Sequence, residues 1–208
     1  MLVSGALDPL TSGARSSLGR ALTEPELEAF DKYLKLLQQW QRSQRLIGST
    51  EPRWIVENLF LDSLLFLHLV PDDVRSVADL GSGAGVPGIP IKIVRPWLAV
   101  TLIESRERRA SFLSAVVREL GLGGVRVVNT RAEQVAIEFP RAFDAVVMRC
   151  AGDLSDVMPV AASLAIPGGI VIAAGPPTRR PLSMGAWRDV PGTRPGTTRR
   201  FAVHRTSL

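Results

Sequence analysis

The chain has 208 residues, 46% of them hydrophobic and 22% charged, which suits one domain with a sizeable core and excludes a wholly disordered chain. One cysteine and two histidines exclude a disulfide framework and a multi-cysteine zinc site, and no metal is expected. The net charge of +5 is unevenly placed: residues 179–208 carry seven arginines against one acid, Asp189, which suits a polyanionic partner.

Residues 1–19 are rich in Gly, Ser and Ala without periodicity, and a disordered lead-in is expected there. Residues 1–10 show neither a basic n-region nor an apolar h-region, so no secretory signal is expected and the location is read as cytoplasmic. A helix begins at Thr23. Thr23-x-x-Glu26 is a capping box, Pro25 suits the first turn, and Leu27, Phe30, Leu34, Leu37 and Trp40 recur at spacings of three and four. A second helical stretch is expected over about 53–69. Together these make residues 20–72 an N-terminal helical cap on a main domain of residues 73–208.

From Arg75 onward strands alternate with helices. Segments 76–80, 98–104, 125–129, 143–149 and 170–174 read as apolar strands. Segments 106–120 and 154–166 read as helices, the second closed by Pro167-Gly168-Gly169. Segments 188–190 and 200–205 read as a closing hairpin. This alternation predicts an α/β fold with a mostly parallel sheet covered by helices on both faces. The long uncharged run, 157–178, is broken by four prolines, so no membrane span is expected.

The strongest local signal is Asp79-Leu80-Gly81-Ser82-Gly83-Ala84-Gly85-Val86-Pro87-Gly88, between the first strand and a helix. Small residues there let a ligand approach the backbone closely. In an open α/β sheet that place is the ligand crevice. Gly83-x-Gly85-x-x-Gly88, with Glu104 21 residues after Gly83, also matches the dinucleotide fingerprint. Two details favour S-adenosylmethionine over NAD. Asp79 would repel a pyrophosphate but can face an ammonium or accept a hydrogen bond. Pro87 and Pro90 remove N–H donors that a phosphate would need, and Pro90 pushes the helix start later. Glu104, ending the second strand, can take ribose hydroxyls of either cofactor.

The segment DLGSGAGVPGIPIKIVRP, residues 79–96, resembles the glycine loop of the bacterial small-subunit ribosomal RNA methyltransferase G family. The continuation proline–glycine–isoleucine–proline is the specific part. Leu61-Asp62-Ser63-Leu64, Glu104-Ser105 with Arg109 and Phe112-Leu113, Arg131-Ala132-Glu133, and Phe143-Asp144 with Arg149 resemble further family segments in the same order.

The resemblance implies a Rossmann-like class I methyltransferase fold. It implies that Gly81, Gly83, Gly85 and Val86 border the methionine part of the cofactor, that Glu104 takes the ribose, and that Ala132 and Glu133 border the adenine. It places Arg149 on the cofactor and substrate side as a positioning residue. Three positions depart from the family pattern: Leu59 stands for its histidine, Met148 for its serine, and Ala174-Gly175-Pro176-Pro177 lacks its lysine.

The implied reaction is methylation of N7 of a guanine in 16S ribosomal RNA, on RNA or on the small ribosomal subunit, by a monomer. N7 is an unprotonated acceptor, so no general base is expected. Arg199 and Arg200 in the basic tail are the expected RNA contacts. Cys150 has no histidine near it in sequence and reads as a small packing residue rather than a nucleophile. A small-molecule methyltransferase and a non-catalytic nucleoside-binding module are the competing readings.

Overall fold

The protein is described by a computed structural model that covers residues 5–149, 152–176, 180–194 and 196–208. Seven strands form one sheet: β1 (Ser76–Leu80), β2 (Ala99–Ile103), β3 (Val125–Val128), β4 (Phe143–Arg149), β5 (Ala165–Ala174), β6 (Ala186–Pro191) and β7 (Thr198–Arg205). Their spatial order is β3-β2-β1-β4-β5-β7-β6. The first five are mutually parallel, and β7 and β6 are antiparallel additions at one edge. Order reverses between β1 and β4, which opens a crevice at the carboxyl ends of those strands.

Successive side chains of a strand point to opposite faces, and here they divide between two cores. Val77, Val100, Leu102, Ala145, Val147, Ile170 and Ile172 face one core; Ala78, Leu80, Ile103, Val146, Met148, Val171 and Ala173 face the other. The second core is closed by α7 (Ala132–Glu138) and α8 (Leu154–Leu164), through Val135, Met158, Ala161 and Leu164. The first is closed by α1 (Asp8–Leu18), α2 (Glu24–Gln41), α5 (Gly88–Val94), α6 (Glu107–Glu119) and a continuous helical run. That run comprises α3 (Pro52–Ile55), a π-helical turn (Val56–Leu61), α4 (Asp62–Leu64) and a 3-10 turn (Leu65–His68).

The capping box forms as the sequence predicts. Glu26 N donates to Thr23 Oγ1 at 3.4 Å, and Thr23 N donates to Glu26 Oε2 at 2.7 Å. Phe30 and Tyr33 of α2 pack on Phe60, with ring centroids 5.2 and 5.0 Å apart. Such aromatic pairs contribute about 0.5–1.5 kcal/mol each beyond their area.

Four sequence expectations change. Part of the expected disordered lead-in is α1, because Leu7, Leu10 and Ala14 bury against the 52–68 run despite weak periodicity. The helices of residues 20–72 do not sit on a finished domain as a cap, since their apolar faces and the sheet share one core. Pro167-Gly168-Gly169 does not close α8; β5 already begins at Ala165, with a register shift against Phe143 and Ala145 accommodating the change of direction. Pro90 does not delay its helix: α5 starts at Gly88 and holds Pro90 in its first turn, where a missing N–H costs nothing.

Candidate cofactor site

The glycine loop leaves β1 at the switch point. Gly81, Gly83 and Gly85 adopt φ of +70°, +56° and +91°, which explains glycine at all three. They are nevertheless in different surroundings. A Cβ on Gly83 would meet nothing nearer than 3.8 Å, so that face is open. A Cβ on Gly85 would lie 2.3 Å from Ile89 Cδ1 and 2.8 Å from the Tyr33 hydroxyl oxygen. Gly81 therefore borders the open cleft, the space beside Gly83 is open, and Gly85 is pressed inward with buried Val86.

Most of the loop's N–H groups donate within the protein. Gly81 and Ser82 donate to Ile103 O at 2.9 and 3.0 Å, and Gly85 and Val86 donate to Ser82 O at 2.7 and 3.2 Å. Gly83 donates to Glu104 Oε2 at 2.9 Å, Gly88 to Asp79 Oδ2 at 2.8 Å, and Ile89 to Gly85 O at 2.8 Å. A pyrophosphate needs such donors free.

Glu104 is almost wholly buried just past β2. Its Oε1 accepts from Arg106 N at 2.8 Å, and its backbone oxygen accepts from Asn129 Nδ2 at 2.9 Å. The carboxylate is thus fixed by one N–H on each oxygen, and it has acceptor capacity left for hydroxyl groups. It lines a cleft of about 720 Å³ together with Gly81, Ser105, Arg106, Thr130, Arg131, Ala132, Glu133 and Val157. Ala132 and Glu133 open α7 on the far wall. Thr130 and Val157 were not legible as site residues, because only the register of β3 and the packing of α8 bring them here.

Asp79 differs from expectation. It does not look out at a ligand; it is fully buried under the loop, holding Gly88 N with Oδ2 while Oδ1 has no partner. Burial pushes its pKa from 3.8 up to about 7, opposed by the hydrogen bond from Gly88 and the nearby Ser82 hydroxyl, which itself donates to the Asp79 backbone oxygen, and helped by the charge of Glu104. Folding thus favours the protonated acid. Its stabilising contribution is complete below about pH 4 and is lost as pH rises through about 7. We expect Asp79→Asn to flatten the fall in melting temperature between pH 4 and 7 and to raise it at pH 8, as read by calorimetry. An unchanged slope would show that Asp79 ionises freely in the fold.

Tyr33 reaches the same loop from α2. It is fully buried, and its hydroxyl donates to Ala84 O; burial first, and the charge of Asp79 second, push its pKa well up, while Arg149 opposes. Its apolar helix spacing gave no sign of this polar role.

Arg149 ends β4 and is largely buried. It pairs with Asp62 at 3.4 Å, not with Asp144 or Glu133. Asp144 instead accepts from Ser76 N and Oγ at 2.8 and 2.9 Å. Beyond β4 and β5 lies a second cleft of about 700 Å³, lined by Met148, Asp153, Leu154, Ala174, Gly175, Arg180, Leu182 and Arg199. Two of the three departures from the family pattern, Met148 and Ala174-Gly175, border it.

The basic tail is also placed differently from expectation. Arg199 Nε donates to Asp62 Oδ1 at 2.8 Å and its Nη1 to Gly175 O at 2.8 Å. Arg200 pairs with Asp189 at 2.8 Å, and Arg194 with Glu57 at 3.0 Å. Arg199 and Arg194 tie the β6–β7 hairpin to the rest of the fold and Arg200 pairs across the hairpin itself, so Arg199 and Arg200 both hold ion pairs within the protein. Exposed arginines stand instead at the rims of the clefts: Arg106 and Arg131 at the first, Arg180 at the second. Cys150 and Arg179 lie outside the described residues. Among the described residues, no cluster of His, Cys, Asp and Glu is placed to hold a metal, and no helix is long and apolar enough to cross a membrane.

A model of the family described as rRNA small subunit methyltransferase G matches residues 26–175. A ribosomal RNA small subunit methyltransferase G of Stenotrophomonas maltophilia (strain K279a) is 36% identical over 170 residues, covering 79% of this chain and 78% of the relative. One of Xanthomonas euvesicatoria pv. vesicatoria is 38% identical over 157 residues, covering 76% and 70%. Among solved structures, protein Atu636 of Agrobacterium tumefaciens, described as a predicted O-methyltransferase, superposes with a TM-score of 0.55 at 22% identity, covering 71% of this chain and 81% of that one. That likeness concerns the fold.

Proposed function

The chain belongs to the rRNA small subunit methyltransferase G family, whose members are S-adenosylmethionine-dependent enzymes, and on that premise we propose that it methylates N7 of one guanine in 16S ribosomal RNA. The observation that carries the cofactor half is the use of the loop's own groups. Most of its N–H donors are spent inside the protein, which disfavours a pyrophosphate, while Glu104 stands fixed in the cleft wall as a hydroxyl acceptor.

In this reading Glu104 takes the ribose, Gly81 and Gly83 let the cofactor lie against the backbone, and Ala132 and Glu133 border the adenine. Val86 and Gly85 support the loop from behind. Asp79 acts on the loop through Gly88 rather than on the ligand. When bound, S-adenosylmethionine supplies a methyl group made electrophilic by its sulfonium. Guanine N7 has a lone pair and no proton, so the residues around it have only to orient the base and exclude water. The second cleft, beside the first and rimmed by Arg180, suits the target base, and Arg106 and Arg131 suit its backbone phosphates. This assigns RNA contact to the cleft rims in place of Arg199 and Arg200. We place the enzyme in the cytoplasm as a monomer acting on the small ribosomal subunit or its RNA.

The test has two steps. Calorimetry should show binding of S-adenosylmethionine and none of NAD. Labelled methyl should then enter 16S RNA, and nucleoside mass spectrometry should identify 7-methylguanosine. Label on an exocyclic amine, a ring carbon or a ribose overturns the N7 assignment. Tight cofactor binding with no label in any RNA overturns the substrate class.

A further inference from the structure

Two arginines from different strands meet one carboxylate beside the glycine loop. Asp62 follows the π-helical turn, a local widening of the helix that recurs at functional sites. Its Oδ1 and Oδ2 accept from Arg199 Nε and Nη2 of β7 at 2.8 and 3.4 Å, and its Oδ2 also forms an ion pair with Arg149 Nε, 3.4 Å away at the end of β4. All three side chains are largely withdrawn from solvent, at 14%, 24% and 16% exposure for Asp62, Arg199 and Arg149. Charges so placed are held in one geometry, because releasing either partner leaves a buried ion uncompensated.

The two arginines end differently. Arg199 is fixed again by Gly175 O through Nη1. Arg149 keeps a buried Nη1 without any hydrogen-bond partner. A buried guanidinium N–H left unsatisfied is costly, and such exceptions call for a reason. Arg149 directly follows Met148, which pairs with Leu80 of β1, so it lies across from Gly81 at the start of the glycine loop. The vacant donor is therefore beside the loop that borders the cofactor cleft.

We propose that Asp62, itself fixed by Arg199, is a positioning residue: its charge holds the Arg149 guanidinium at the Nε edge so that Nη1 is kept for an oxygen acceptor supplied by the bound molecules. The inference rests on the methyltransferase reading above. A guanidinium fork held at one edge presents its other N–H groups in a fixed plane, which suits a carboxylate or carbonyl oxygen. The cofactor's amino-acid carboxylate and the carbonyl oxygen of the target guanine both have that chemistry.

The experiment compares wild type, Asp62→Asn, Asp62→Glu, Arg149→Ala and the Asp62→Asn/Arg149→Ala double variant for cofactor Kd, kcat on RNA and melting temperature. Asp62→Asn should raise cofactor Kd at least about tenfold if the acceptor is the cofactor carboxylate. It should lower kcat at least about tenfold with Kd unchanged if the acceptor is on the guanine. In either case Asp62→Glu should recover part of the loss, and Asp62→Asn should add less than about twofold in the Arg149→Ala background. If Asp62→Asn does not fold, Asp62→Glu is read in its place by the same cycle with Arg149→Ala. Kd and kcat both within about twofold of wild type, or losses that multiply fully in the double variant, overturn the proposal. A wild-type protein that binds cofactor but methylates no RNA overturns the functional reading instead.

Discussion

Glu104→Ala should weaken S-adenosylmethionine binding by roughly 1.5–3 kcal/mol, about ten- to a hundredfold in Kd. The range is that of a hydrogen bond to a charged group, and two effects place this residue in its upper half. The carboxylate is almost wholly buried, so it acts where water competes poorly. It also holds the N–H groups of Gly83 in the glycine loop and of Arg106 in the cleft wall. On the proposed reading, removing it takes away the ribose acceptor and frees the glycine loop. Glu104→Gln separates the two losses. An amide keeps one carbonyl acceptor but turns an NH2 group toward either Gly83 N or Arg106 N. Its binding should fall between those of wild type and the alanine variant. Calorimetry on proteins of matched melting temperature measures both. A Kd for Glu104→Ala within about twofold of wild type would remove Glu104 from the ribose.

The place of Glu104, in a cleft wall at a strand end, was legible for a simple reason. It needed only a strand end, a glycine loop and their spacing, all of them local in sequence. The five parallel strands were legible for the same reason, since each is a short apolar run between polar turns. What the sequence concealed depends on contacts between distant residues. Asp62 and Arg199 are 137 residues apart, and nothing in the tail's composition distinguishes an arginine that reaches inward from one that waits for RNA. Tyr33 occupies a core position of α2 by spacing, and only the approach of the glycine loop gives its hydroxyl a task. Asp79 was readable as an acid before the loop, but its burial, and so its raised pKa, follows from packing beneath α5. Helix α1 escapes a reading by periodicity because a few buried side chains, Leu7, Leu10 and Ala14, suffice when a ready apolar surface lies alongside.

Gly85→Ala and Gly83→Ala should fail in opposite ways, although both add one methyl group to the same loop. At Gly85 the new Cβ would fall 2.3 Å from Ile89 Cδ1 and 2.8 Å from the Tyr33 oxygen, at a φ of +91° that an L residue rarely adopts. Backbone strain of this kind costs about 1–3 kcal/mol, and overpacking a closed site costs about 1–3 kcal/mol more. A loss of roughly 2–6 kcal/mol is a large part of the stability of a domain this size. Ile89 can turn aside, but Tyr33 is stacked on Phe60 and bonded to Ala84, so it cannot. Gly85→Ala should therefore melt well below wild type and lose cofactor binding along with its loop. At Gly83 the Cβ would meet only Arg109 Nη1 and Gly81 O, both at 3.8 Å, and its φ of +56° lies in the left-handed region that costs an alanine only about 1–2 kcal/mol. That variant should fold, with a modestly lower melting temperature. Its methyl would fill the space a ligand needs beside the backbone, so cofactor Kd should rise at least about tenfold. Thermal unfolding and calorimetry on the two proteins decide it. A Gly83→Ala protein that binds S-adenosylmethionine as tightly as wild type would mean that the cofactor does not lie against this part of the loop.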